Sequence, residues 1–343
     1  MSAPISSAEV LRRTSRTFAL SIRVLPRPVR EPVEAAYLVA RIADTVADAA
    51  TVPAAVRIDL LDQLVSAIRE GGPARPIETL GDSGRIAGTG LTRDAEEALL
   101  ADAGRWLARL RALPEADRRD VETVVTRLAS TMRGELEWFC RGNGGAIVAL
   151  PDERALHSYT EGIAGCVGTF WTSLLDRHVC RWTPRRRHAL TILGRRYGRG
   201  LQLVNVLRDV AADISRGRCF LPLTELEEAG LAPGDVLSPD ARDPFRSVVD
   251  RWARRSRSGL LAGLAYSSRL DGAGWRVRLA TALPAALGLE TLARVGSDPR
   301  WLDPGHKTAI SRGRLRAVVC RAMLCSVISR GPRGLASLGA AGG

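Results

Sequence analysis

The sequence predicts an all-α helical bundle, and three observations carry that expectation. Ala, Leu, Arg and Glu dominate long segments in which apolar residues recur every three to four positions. Alternating, strand-like runs are missing, and no repeat of fixed period marks a solenoid. Of 343 residues, 45% are apolar and 25% charged, the proportions of an ordinary folded core and its surface. One domain is expected over 1–329, and the Gly- and Ala-rich tail 330–343 is expected to be disordered.

Helices are expected at 31–50, 54–70, 92–112, 115–140, 152–177, 185–213, 239–268, 274–297 and 306–329. Pro32 and Pro53 stand where a first turn accepts proline, Pro114 and Pro184 mark further starts, and "RGNGGA" at 141–146 stops the helix before it. "GDSGRIAGTG" at 81–90 reads as a loop, because a phosphate cradle needs a GK[ST] ending or a preceding strand. In "HSYTEGIAGCVGTFWTSLL", 157–175, Gly162, Gly165 and Gly168 recur every third residue. Each costs a helix about 1 kcal/mol relative to alanine. Tight helix–helix packing and a helix thinned to admit a long apolar ligand both account for them.

The formal net charge is +13 and rests on arginine, since Lys307 is the sole lysine. A guanidinium fork matches phosphate oxygens, so some of these arginines are candidate anion ligands amid an ordinary solvated surface. Six cysteines form no CxxC pair and four histidines are dispersed, which excludes a zinc pattern. Six free thiols suit a reducing cytoplasm, the expected location. "MSAPISSAEVLRRTSR" has no apolar signal core, and no apolar run is long enough to span a bilayer. The basic segment "RRRHALTILGRRYGR", 185–199, could rest peripherally on anionic lipid at the inner membrane surface. Nucleic acid is not expected as a partner, for no helix-turn-helix or RNA-binding motif accompanies the charge. The oligomeric state is not readable.

The informative pattern is a pair of polar stripes. In "LQLVNVLRDVAAD", 201–213, Gln202, Asn205, Asp209 and Asp213 follow at helical spacings among apolar neighbours. In "AYLVARIADTVAD", 36–48, Tyr37, Arg41, Asp44 and Asp48 repeat the pattern. Each stripe ends in Asp-x-x-x-Asp, whose carboxylates project from one helix face with Cβ atoms about 6 Å apart. Two carboxylates leave an octahedral Mg²⁺ shell open for water and substrate phosphate oxygens. Asp44, Asp48, Asp209 and Asp213 are therefore candidate ligands for Mg²⁺ that also grips diphosphate, with Arg41 and Arg208 neutralising residual charge.

Four blocks then carry a resemblance: "SRTFALSIRVLP" at 15–26, "AYLVARIADTVAD" at 36–48, "YTEGIAGCVGTFWT" at 159–172 and "LQLVNVLRDVAADISRGRCFLP" at 201–222. Together they resemble the squalene/phytoene synthase family of head-to-head prenyl transferases, nearest to its bacterial squalene synthases. The resemblance implies an isoprenoid synthase fold whose two Asp-rich helices face each other across a central cavity. By position it implies that Arg16, Arg41, Arg208 and Arg218 contact phosphate oxygens, with Ser15, Gln202 and Asn205 adding hydrogen bonds. Tyr159 matches the family tyrosine that assists the first half-reaction, and Phe18, Tyr37, Gly165 and Gly168 fall where a cavity wall is expected. Many relatives carry glutamate before the second aspartate of each motif; Ala47 and Ala212 stand there instead.

The implied reaction condenses two farnesyl diphosphates to presqualene diphosphate and reduces it with NADPH to squalene. Dehydrosqualene or phytoene synthesis, which omits the hydride, stays open, as does a terpene cyclase acting on one prenyl diphosphate. A basic nucleic-acid-binding protein accounts for the charge but not for the paired aspartates.

Overall fold

The computed structural model describes residues 9–10, 21–83, 93–142, 146–270, 272–306 and 308–328. The chain forms two compact units, residues 1–138 and 139–343. Fourteen α-helices are present among the described residues, as the sequence predicts for an all-α protein. The expected tail at 330–343, Ser15, Arg16, Phe18 and most of the 81–90 loop lie outside the described residues.

The first unit holds α1 (Arg27–Asp48), α2 (Ala54–Glu70), α3 (Arg75–Asp82), α4 (Arg93–Ala101), α5 (Ala103–Arg111) and most of α6 (Glu115–Phe139). Helix α1 begins earlier than its expected start, with Pro26 as N-cap and Pro28 in the first turn, so Pro32 lies inside it. Leu38, Val39, Ile42 and Val46 bury one stripe of α1, which packs on α2, α4 and α5. Arg109 on α5 reinforces that packing by donating to Glu34 Oε2 at 2.6 Å. The expected helix 92–112 divides into α4 and α5 at Asp102, whose ψ of 15° leaves helical geometry. Helix α3, eight residues between glycines, carries too short a period to stand out in the sequence.

The second unit opens with β1 (Val148–Leu150), then α7 (Glu153–Thr160) and α8 (Cys166–Leu175). The expected helix 152–177 is thus interrupted by π turns at Glu161–Gly165 and Asp176–Cys180. There follow α9 (Pro184–Arg208), α10 (Val210–Ile214), β2 (Arg218–Pro222), α11 (Leu223–Glu228), α12 (Arg242–Ser268), α13 (Trp275–Ser297) and α14 (Arg312–Ile328). Helix α9 is the hub, packed on α8, α12 and α13. Within 185–199, Leu190, Gly194, Tyr197 and Gly198 are buried in that packing, while Ala189 and Ile192 are exposed.

A Cβ on Gly168 would lie 2.1 Å from the Gly194 carbonyl oxygen, so the backbones of α8 and α9 touch there. Tight packing is thus the reason for that glycine. Gly200 meets Gly259 of α12 equally closely, a Cβ falling 2.8 Å from the Gly259 Cα.

Two further features depart from the sequence reading. The expected helix 185–213 breaks at Asp209 (φ −99°, ψ 8°). There Arg208 donates twice to the carboxylate of its own neighbour, a contact that regular helical geometry disfavours because consecutive side chains diverge. The chain also contains a parallel β1–β2 pair, in register at Val148 and Arg218 and shifted by Leu150 and Pro222. Strands of three and five residues are too short to show alternation.

Candidate active site

Helix α1 carries one acidic motif. Arg41 Nη1 donates to Asp44 Oδ2 at 2.6 Å, three residues on, while Nη2 binds Glu96 of α4. Glu96 is 7% exposed, an acid held in the protein by this guanidinium. Burial lowers the Arg41 pKa, but Asp44 and Glu96 more than offset it and leave it raised. Asp44 is pushed up to about 6, chiefly by burial and further by Asp48 and Glu96, against the pull of Arg41. Arg41 thus joins Asp44 of its own helix to the buried Glu96 of α4. Asp48, exposed at the end of α1, sits beside a helix terminus whose Ala47 carbonyl accepts from Arg57 Nη1 at 2.6 Å. Tyr37 is half-buried one turn before Arg41.

The second motif is assembled in the other unit from α7, α9, α10 and β2. Asn205 Nδ2 donates to Gln202 Oε1 at 3.3 Å, and Gln202 Nε2 donates to the Tyr159 hydroxyl at 3.2 Å. This relay joins α9 to α7. Arg208 holds Asp209 by a fork of 2.8 and 2.6 Å, which raises the arginine pKa, first through those hydrogen bonds and then against burial. Arg218 on β2 lies 3.4 Å from Asp213 Oδ1.

The β-pair explains how Tyr159 and Arg218 become neighbours. Val148 N donates to the Gly217 carbonyl at 3.0 Å, and Gly217 has φ of +77°, a turn that suits a residue without Cβ. From β1 the chain enters α7 through Asp152, whose carboxylate caps Ala155 N at 2.8 Å. Tyr159 consequently stacks at 4.7 Å on Phe220 of β2, and Phe139 meets the same ring edge-on at 5.0 Å. The Arg218 guanidinium lies 6.0 Å from that ring. Beside it the Cys219 thiol is pushed up to about 12 by burial and is held unreactive.

The structure therefore joins Gln202, Asn205 and Tyr159 in one relay and pairs Arg208 with Asp209, Arg218 with Asp213 and Arg41 with Asp44. Gly165 lies in the π turn, where a Cβ would fall 2.4 Å from a Glu161 carboxylate oxygen, and Gly168 lies in the α8–α9 contact. Sequence reasoning misses Glu96 and Phe220. Glu96 was detectable, since it occupies the face of Leu99, Leu100 and Ala103 at helical spacing. Among the described residues no group of three or more His, Cys, Asp or Glu side chains is placed to hold a metal alone.

A family description of squalene/phytoene synthases matches residues 11–314. The chain is 24% identical over 291 residues to the squalene synthase of Schizosaccharomyces pombe, covering 85% of this chain and 59% of that protein. It is 30% identical over 318 residues to the bifunctional lycopene cyclase/phytoene synthase of Colletotrichum graminicola, covering 91% and 49%. With the presqualene diphosphate synthase of Zymomonas mobilis it shares 27% over 319 residues, covering 92% and 93%. The chain thus spans about half the length of the first two relatives and nearly all of the third. The fold is that of the solved structure of TcSQS with the ligand BPH1237, at a TM-score of 0.76 and 18% identity over 98% of this chain and 89% of that one. A dehydrosqualene synthase with bound ligand aligns at a TM-score of 0.63 and 18% identity, covering 92% and 93%. By the match that runs over most of its length, the chain belongs to the squalene/phytoene synthase family.

Proposed function

We propose that the protein condenses two farnesyl diphosphates head to head into presqualene diphosphate and reduces that product to squalene. The observation that carries this reading is the Gln202–Tyr159–Phe220 assembly flanked by the arginine–aspartate pairs of α9 and β2. The donor chemistry of the acid pairs fits Mg²⁺, which Asp44, Asp48, Asp209 and Asp213 would hold and whose charge, when bound, neutralises a departing diphosphate. Arg41, Arg208 and Arg218 add fixed positive charge for the phosphate oxygens. Gln202 occupies a lone pair of the Tyr159 oxygen, so the hydroxyl proton points elsewhere and the oxygen is positioned for proton handling. The faces of Tyr159 and Phe220 favour cationic character in an allylic substrate. Buried Cys219, Phe220 and Leu221 keep water from that side of the rings, where it would trap a cation. Hydride from NADPH would complete the second half-reaction.

A second reading, release of presqualene diphosphate without reduction, is favoured by the Zymomonas mobilis relative, which aligns over 93% of its own length. The deciding experiment incubates purified protein and Mg²⁺ with farnesyl or geranylgeranyl diphosphate, with and without NADPH, and analyses extracted products by mass spectrometry. Squalene formed only with NADPH supports the first reading. Presqualene diphosphate with or without NADPH supports the second. A C40 hydrocarbon or a cyclic C15 product overturns both.

A further inference from the structure

Helix α9 bears another charged surface one turn before Gln202, none of whose residues is assigned above to the reaction; a dinucleotide occupant there rests on the proposed reduction. A cavity of about 240 Å³ opens among α7, α9 and α12 within the second unit, and Arg196, Arg199, Arg255, His157 and Ser258 supply most of its polar lining. The Gly200–Gly259 backbone contact sets part of its floor, so that floor is rigid and carries no side chain.

The arginines are held but not neutralised. The Arg255 guanidinium carbon lies 4.4 Å from the ring centroid of Trp252, a buried indole anchored to Glu225 at 3.0 Å, and the side chain reaches Glu153 at 2.9 Å. Arg196 Nη2 donates to the Ser258 hydroxyl at 3.2 Å. Glu161 serves two guanidiniums, Arg195 at 2.7 Å and Arg199 at 3.7 Å. Three arginines thus share the carboxylates of Glu153 and Glu161, and Arg196 is paired with neither. Arg199 also meets His157 Nε2. Burial, then crowding by Arg195 and Arg196, holds the Arg199 pKa below the ordinary arginine value despite Glu161. A polyanion entering the cavity relieves this crowding and finds several guanidinium donors at once. At about 240 Å³ the space lies below the roughly 300–1,000 Å³ of sites that enclose a drug-sized ligand, so it suits an end group and not a prenyl chain.

We propose that this cavity is a phosphate-binding site separate from the aspartate motifs, taking a phosphate or diphosphate group that carries at least two negative charges. Such a group has two sources, a free inorganic diphosphate or the 2′-phosphate of a dinucleotide, and the experiment separates them. Calorimetric titrations of the full chain with inorganic diphosphate, NADPH and NADH are run in EDTA, which silences Mg²⁺-dependent binding. Each is repeated with the double variant R196Q/R255Q, two exposed positions whose folding is checked by circular dichroism, and with Ser258→Asp, which adds a carboxylate and removes no arginine. We expect wild-type binding that weakens at high salt and falls at least about tenfold in both variants. Binding of diphosphate identifies a free anion as the occupant; NADPH bound tightly where NADH is not identifies the 2′-phosphate. Failure of the wild type to bind either ligand, or unchanged affinity in folded variants, overturns the proposal.

Discussion

Gln202 of α9 donates a 3.2 Å hydrogen bond to the hydroxyl of Tyr159 on α7, so a residue of the second aspartate stripe sets the orientation of the candidate catalytic tyrosine. Tyr159→Phe keeps the Phe220 contact and removes the oxygen. It is expected to lower kcat by about 10²-fold with little change in KM, in line with loss of acid–base assistance. Gln202→Leu, which leaves the hydroxyl misaligned, should cost about tenfold. Steady-state diphosphate release measures both, and equal rates in wild type and Y159F would remove the tyrosine from the chemistry.

Asp209→Ala should abolish diphosphate consumption while helicity is preserved, because Asp209 is half-exposed and the side-chain contact it loses is the fork with Arg208, itself partly exposed. Mg²⁺ should raise the thermal midpoint of the wild type and not that of a variant lacking both Asp209 and Asp213. Ligand at 100 times its Kd contributes about 2.7 kcal/mol. Melting with and without EDTA reads this directly, and an unshifted wild type argues against a metal held at these acids.

Asp44 gives a pH signature. Its carboxyl is held above the ordinary value of 3.8, at about 6, so between these values the folded chain binds more protons than the unfolded one. The contribution of this group to stability therefore declines as pH rises through that window. Mg²⁺ favours the ionised carboxylate, and its binding at pH 5 should release protons, detectable as a dependence of the calorimetric heat on buffer ionisation. Glu96→Gln removes one of the charges that raise Asp44 and should shift the window downward. A window that stays in place would separate Glu96 from the motif.

Backbone contact makes a separate prediction. Gly168→Ala drives a methyl into the Gly194 carbonyl and should destabilise by about 1–3 kcal/mol in urea unfolding. Gly134→Ala, in mid-α6 with nothing within 4 Å of its Cβ, should stabilise by about 0.5–1 kcal/mol. The opposite signs test whether packing or helix propensity governs each glycine.

The two Asp-x-x-x-Asp stripes are legible in the sequence because ionised groups at helical spacing among apolar neighbours have few structural explanations. Gly168 is legible as an anomaly, though its purpose becomes visible only with Gly194 across the helix pair. The break at Asp209 is not legible, since no proline interrupts 185–213 and the stripe keeps helical spacing through Asp209; the break coincides with a side-chain fork between neighbours. Phe220 is hidden for another reason. It lies within a recognised block, but its role depends on a short strand whose partner is distant in sequence.

That strand pair bears on how the chain brings its aromatic rings together. Val148 and Arg218 are partners across seventy positions, so Tyr159 and Phe220 meet only after the intervening chain has closed a long loop, at an entropic cost that local helix formation does not offset. Hydrogen bonds within α7 and α9 are local in sequence, whereas the aromatic contact depends on the crossover. The Tyr159–Phe220 contact is accordingly a product of long-range pairing, and native-like helicity alone does not report on it.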